Sequence, residues 1–256
     1  MRDSQKSDRV GRHTPDRILA ILGFHKIGKA PAGWDTWFYI PEATFVEQLS
    51  YLRASDWQVI DAAAFLRGLD APDSLPERSA LLTFDDGCRQ FLDVALPCLR
   101  RFKYPSVHFV PTDYIGKQNS FDADNEPEEP ILNWTELRRL ERWGVSIESH
   151  AVTHRPFSEL SRVQQEEELS QSKAVLETRL KKRVELFAFP KGDAGADRRA
   201  MSRSLKRIGY RAACLYGGGP IRLPMDSPYR LTRLAMGPDT NLEAALGSGF
   251  GRENRN

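Results

Sequence analysis

Apolar runs alternate with stretches of helical periodicity along most of this chain. Ile18-Leu19-Ala20-Ile21-Leu22-Gly23-Phe24 is almost continuously apolar and ends at His25, the pattern of a strand buried on both faces. Shorter runs of the same kind occur at 59–60, 81–84, 106–110, 145–148, 184–189, 210–215 and 229–235. Between them the period changes. After Pro41, Phe45, Leu49 and Leu52 share one helical face; Asp61 is placed to cap a helix to about residue 69; further helices are predicted over 90–101 and 198–208. Thr135 is predicted to cap a helix ending near 143. Ser161 with Gln164 has the form of a capping box, and Leu169, Leu176 and Leu180 mark the inner face of the helix after it. Strand and helix thus alternate six or seven times, which predicts a parallel sheet with helices outside it, an α/β barrel. The polar stretch 1–16 reads as a disordered tail and 17–250 as one domain. The loop 111–133 carries Asp113, Asp122, Asp124, Glu126, Glu128 and Glu129 against Lys117, and is expected to be a solvated surface loop.

Composition narrows the function classes. With 37 basic and 35 acidic residues the net charge is +2, without the basic excess of a general nucleic-acid binder. The 256 residues, 40% of them hydrophobic, suffice for one large core. The three cysteines, Cys88, Cys98 and Cys214, form no CxxC pair, which argues against a disulfide framework or a cysteine zinc site and for a reducing compartment. No run approaches the ~20 apolar residues of a membrane span. The N-terminal stretch lacks the apolar core of a signal peptide, so the expected location is cytoplasmic.

The candidate chemistry collects where strands end. His25, Asp85-Asp86, His150 and Lys191 each come directly after a predicted strand, and in an α/β barrel such positions share the face where active sites sit. Two adjacent carboxylates at the end of a buried strand are costly unless they bind something. His150 and His154 are four residues apart and can face one ion; with one carboxylate they make a divalent site that keeps a position open for water or substrate. Metal-assisted hydrolysis then needs a second carboxylate as base and a general acid. His13 lies in the polar tail and His108 inside a strand, which leaves His25 as the acid. Each motif alone has a plainer use, a turn for Asp-Asp-Gly and packing for the histidines. Their joint occurrence at strand ends favours a site. Cys88 has no histidine placed to activate it as a nucleophile.

Leu82-Thr83-Phe84-Asp85-Asp86-Gly87, Ser149-His150-Ala151-Val152-Thr153-His154 and Phe187-Ala188-Phe189-Pro190-Lys191-Gly192 resemble the three main motifs of the polysaccharide deacetylase superfamily, carbohydrate esterase family four with its NodB-like domain. The resemblance covers about 18–235. It implies a distorted (β/α)7 barrel and metal-dependent removal of acetyl groups from N-acetylated saccharides. It implies Asp85 as general base and Asp86, His150 and His154 as ligands of a divalent metal, zinc as a rule, with cobalt or nickel able to serve. Relatives often carry tyrosine at Cys88 and Pro-Tyr at Pro190-Lys191; the Lys191 backbone N–H can still hold an oxyanion. The third-motif arginine that braces the base in many relatives is missing, and Arg233 is the candidate replacement. No histidine comes after His154, so the general-acid motif is sought in Ile21-Leu22-Gly23-Phe24-His25, as in the circularly permuted branch found among exopolysaccharide deacetylases. Trp134 matches an aromatic position that lines the sugar groove, and the acidic loop could meet an amino-sugar product. The expected activity is N-deacetylation of an N-acetylhexosamine poly- or oligosaccharide. The alternatives are a metal-dependent amidase or deformylase on a non-polymeric or lipid-linked sugar, and an inactive saccharide-binding domain.

Overall fold

Strand β1 (Arg17–Phe24) is buried along nearly its whole length, and its alternate side chains enter two separate apolar clusters. Ala20, Leu22 and Phe24 face the layer between sheet and helices; Leu19 and Ile21 face the interior of the curved sheet. That two-sided burial is why the run carries no polar alternation. A computed structural model describes residues 17–247; the expected tail at 1–16 and positions 248–250 of the expected domain lie outside the described residues.

The chain continues through β2 (Lys26–Ile27), β3 (Tyr39–Ile40), α1 (Glu42–Ala54), β4 (Gln58–Val59) and α2 (Ala62–Asp70) to β5 (Arg78–Phe84). Then come α3 (Leu96–Phe102), β6 (Ser106–Val110), α4 (Trp134–Glu141), β7 (Val145–Ser149), α5 (Arg162–Leu180) and β8 (Leu186–Ala188). The chain closes with α6 (Arg198–Ile208), β9 (Ala212–Cys214), β10 (Ile221–Leu223), β11 (Leu234–Ala235) and α7 (Leu242–Gly247). The main sheet has the order β10-β1-β5-β6-β7-β8-β9, parallel from β1 to β9, with β4 on β5 and β11 on β1. It curls into a half-barrel with the helices outside, the distorted barrel that the alternating pattern predicts.

Four local expectations are corrected. The sheet is mixed, because β10 runs antiparallel to β1. The expected strand 229–235 shrinks to β11: Leu231 bridges to Cys214 of β9 while Leu234 and Ala235 pair with Leu22 and Gly23 of β1, so the segment spans the gap between the sheet's two ends and has no single neighbour to ladder with. The helix over 90–101 opens as a π-helical turn, Phe91–Ala95, in which the Leu96 N–H reaches the Phe91 carbonyl; Pro97, with no N–H, cannot continue the tighter ladder. Finally, α4 is capped by Asn133 instead of Thr135. The Asn133 carboxamide accepts from the Thr135 and Glu136 N–H groups, and Glu136 returns the bond to the Asn133 N–H. The Ser161–Gln164 box and the Asp61 cap form as expected.

Among the described residues no helix is long and apolar enough to cross a membrane.

Candidate active site

Parallel pairing in register aligns the ends of the strands. The Asp85 N–H donates to the Phe24 carbonyl at 3.0 Å, and the His150 N–H to the Val110 carbonyl at 3.1 Å. His25, Asp85, Asp86, His150, His154 and Lys191 consequently line one cavity of about 390 Å³. Of the six non-glycine residues with positive φ among the described residues, Lys103 and Lys181 end helices; the other four, Asp86, Ala151, His154 and Lys191, lie in the site motifs. Left-handed backbone is unfavourable for such residues, and its concentration here points to a functional constraint.

Asp86 Oδ1 lies 3.5 Å from His150 Nε2 and 3.1 Å from His154 Nε2. His150 Nδ1 is 2.8 Å from the Ala188 carbonyl, which can only accept, so Nδ1 carries the proton and Nε2 presents a lone pair to Asp86. A carboxylate oxygen and an imidazole lone pair thus face each other, and Asp86 Oδ1 is buried with no hydrogen-bond partner. Ligand atoms held tetrahedrally at ~2.0–2.2 Å from one ion stand roughly 3.3–3.6 Å apart. The three side chains each offer one atom, all within 4.8 Å of one another. This donor set fits a divalent cation, and the orphaned oxygen is the observation that asks for one. Burial pushes the Asp86 carboxyl up, but the imidazoles of His150, His154 and His25 around it outweigh that and hold the group well below the usual carboxylate range.

Asp85 is held differently. Arg233, fully buried at 0% exposure, donates from Nη1 to Oδ1 and from Nη2 to Oδ2, both at 2.7 Å, while its Nε donates to the Leu215 carbonyl. Burial alone would raise the Asp85 pKa; the guanidinium reverses the sign and keeps the carboxylate ionised. Opposite stands His25, whose Nε2 is 4.0 Å from Asp85 Oδ2 and from Asp86 Oδ2. Its Nδ1 is 3.5 Å from the Tyr216 hydroxyl, and its ring packs on Phe38 and Tyr216. Burial lowers the His25 pKa, more than the two aspartates raise it.

Two of the expected substrate-contacting residues stand elsewhere. Trp134 is not among the cavity-lining residues; it packs partly buried at the start of α4 beneath the Arg179 guanidinium, 4.9 Å from its ring centre. Pro190 is buried behind Lys191 and does not line the cavity. The Lys191 side chain reaches across to Asp122, 3.2 Å away.

The reading of 111–133 as a solvated loop is corrected in part. Glu126 is buried, accepts from Lys26 Nζ at 2.8 Å and from the Thr36 hydroxyl, and lines the cavity with Asp122 and Asn125. Glu129 is buried against the Tyr39 hydroxyl. Acids this far from a strand end show no period that marks them as buried; only their cationic and hydroxyl partners explain it. Sequence reasoning also misses Lys26, Phe38 and Tyr216. Tyr216 stands just beyond β9, so the strand-end rule that finds His25 applies to it too. Cys88 is buried and its thiol is pushed well above its ordinary pKa by that burial, which suits packing and not nucleophilic attack.

Comparison with known proteins agrees with this geometry. The polysaccharide deacetylase family model matches residues 73–213, which include Asp85, Asp86, His150, His154 and Lys191 but neither His25 nor Arg233. The poly-beta-1,6-N-acetyl-D-glucosamine N-deacetylase of Staphylococcus aureus (strain MRSA252) is 22% identical over 164 residues, 60% of this chain and 54% of that protein. The chain spans a little over half the length of the curated relatives it matches. Two solved structures share the fold. Streptococcus pyogenes deacetylase PplD in complex with acetate superposes with a TM-score of 0.74 at 19% identity, covering 88% of this chain and 94% of that one. IcaB from Ammonifex degensii gives 0.72 at 21% identity, covering 86% and 92%. With more than half of its length matched by the family model, the chain belongs to the polysaccharide deacetylase family.

Proposed function

We propose that the chain hydrolyses the N-acetyl group of an N-acetylhexosamine-containing poly- or oligosaccharide and releases acetate. The observation that carries this is the division of two adjacent carboxylates: Asp85 is clamped by Arg233, Asp86 faces two imidazoles, and His25 stands within 4.0 Å of both. Asp86, His150 and His154 would hold a divalent ion, zinc foremost with cobalt or nickel compatible, which would supply Lewis acidity when bound. Asp85 takes the proton from the attacking water, and Arg233 fixes its plane and its ionised form. The Lys191 N–H donates to the acyl oxygen as it becomes an oxyanion. His25 protonates the departing amine from Nε2; its burial makes the protonated ring a readier donor. Arg233, reaching Asp85 from the far end of the chain, takes the place of the missing third-motif arginine, and His25 at the end of β1 opens the motif order, as in the permuted branch.

The relative from Staphylococcus aureus acts, by its name, on poly-beta-1,6-N-acetyl-D-glucosamine, and a β-linked N-acetylglucosamine polymer is the substrate class we assign here. The whole catalytic unit is taken as 17–250. Free cysteines support a reducing, cytoplasmic setting. The test is acetate release from β-1,6- and β-1,4-linked N-acetylglucosamine oligomers, before and after chelation and after adding back zinc, cobalt or nickel. Metal-restored acetate release is expected. Release of formate or of amines from small amides alone would favour a general amidase, and saccharide binding with no turnover in any metal form would leave only a binding domain.

A further inference from the structure

Phe38, on the cavity wall, leads outward to a tryptophan in an unusual setting. Trp37 is 39% exposed, yet it is fixed from two sides by the far end of the chain. Its Nε1–H donates to Asp239 Oδ1 at 2.7 Å. Its six-membered ring lies against Gly237, where an added Cβ would overlap the indole, so no other residue there is compatible with this pose. The turn that carries both contacts is itself locked: the Gly237 N–H donates to Thr240 Oγ1 at 2.8 Å, and the Gly237 carbonyl accepts from the Thr240 N–H and from Gln48 Nε2. The polar edge of the indole is thereby satisfied, and a large apolar surface is left facing solvent in one orientation.

That surface is continuous with the catalytic centre. The Trp37 ring stands edge-to-face on Phe38, centroids 5.9 Å apart, and Phe38 lines the cavity and packs on His25 at 4.6 Å. Trp34, 41% exposed, lies on the same loop. Among the described residues only four large hydrophobics are exposed; the other two are valines on α5. A rigid aromatic plane one ring removed from the reacting group presents apolar area at low entropic cost, with its N–H already engaged. Pyranose rings offer the matching chemistry, an apolar C–H face bordered by hydroxyls.

We infer that Trp37 is a specificity-determining platform on which the sugar next to the one being deacetylated stacks, so that the enzyme selects chains over single sugars. This rests on the proposed saccharide deacetylase reading. The occupant is the same substrate strand that fills the cavity, because the aromatic surface runs unbroken from His25 to Trp37.

The test uses wild-type protein and the Trp37→Ala, Trp37→Phe and Gly237→Val variants with β-1,6-linked N-acetylglucosamine oligomers of one to six units. Acetate release is measured as KM and kcat, binding by quenching of tryptophan fluorescence, and folding by thermal unfolding. In the wild type KM should fall as length increases. Trp37→Ala should raise KM for the hexamer about tenfold, with kcat changed much less and a smaller KM effect on the monomer; Trp37→Phe should recover most of the difference. Gly237→Val should copy Trp37→Ala by displacing the indole. A loss equal at all lengths, or confined to kcat, or no length dependence in the wild type, overturns the platform. Shielding of Trp37 by phospholipid vesicles and not by oligomers overturns it in favour of a membrane contact. Length-dependent binding through Trp37 without acetate release upholds the platform while the catalytic reading fails. Neither binding nor release refutes both.

Discussion

Replacing Arg233 by Met separates a charge that tunes the base from a side chain that merely fills space. Arg233 is fully buried and its two Nη atoms each bond one oxygen of Asp85 at 2.7 Å. Methionine keeps much of the volume and removes the charge. Removing one partner of a buried ion pair costs about 3–5 kcal/mol, mostly for the charge left behind. The protein can relieve that cost by protonating Asp85. At ~1.36 kcal/mol per pKa unit, the same energy corresponds to a rise of roughly 2–4 units. Asp85, held below the ordinary carboxylate value while paired, would then titrate well above it, since burial alone pushes it up. The midpoint of thermal unfolding at pH 8 should fall by roughly 6–20 °C, from ~2–4 °C per kcal/mol for a domain of this size. The acidic limb of the kcat/KM–pH profile should move upward by more than one unit, with metal content unchanged. Arg233→Lys, which keeps the charge and loses the two-pronged geometry, should fall between. An Arg233→Met protein whose acidic limb stays in place, even if it is less stable, would refute the claim that Arg233 sets the ionisation of Asp85.

Asp85→Asn should lose turnover and retain the bound metal, measured by elemental analysis after gel filtration; the reverse result would exchange the assigned roles of the two aspartates. His154→Ala should lose metal, and full occupancy would remove His154 from the ligand set. His25→Ala should lower kcat by about 10²–10⁴ while leaving metal content intact; near wild-type kcat would end its assignment as the acid. His108, buried between Phe84 and Phe91 with neither ring nitrogen hydrogen-bonded, has its pKa lowered to about 4 by burial. Its unfolded form takes up a proton near 6.5, so between those values the unfolded state binds more protons and stability falls as the pH drops. The difference is worth up to ~3 kcal/mol, and His108→Leu should flatten the unfolding midpoint across roughly pH 4–6.5 relative to wild type.

Side-chain period and competition for local hydrogen bonds make part of this protein legible without its fold. Strand β1 announces itself because both its faces are buried, and α5 because Ser161 and Gln164 satisfy its first N–H groups from within four residues. The strand-end positions of His25, Asp85, Asp86, His150, His154 and Lys191 are legible for a related reason: a parallel sheet delivers such residues to one rim, and the structure gathers all six around one cavity. The missing pieces are those whose environment comes from distant chain, or whose local signals conflict. The Asn133 cap is hidden because Thr135, two residues on, offers a competing local signal. The acidic loop reads as solvated because Lys26, which buries Glu126, lies 100 residues away.

Sequence alone therefore determined the alternating architecture, the motif order and the rim on which the reactive groups meet. Only the tertiary structure decided how those groups are divided: that Asp85 receives a guanidinium from 148 residues away while its neighbour Asp86 meets two imidazoles, and that Trp37 lies on a glycine near the chain's end. The physical reason is range. Periodicity and capping act within a few turns of chain. Ion pairing and ring packing depend on which loops cross the barrel mouth, and burial, being non-directional, leaves no mark in the local pattern of which distant partner will be there.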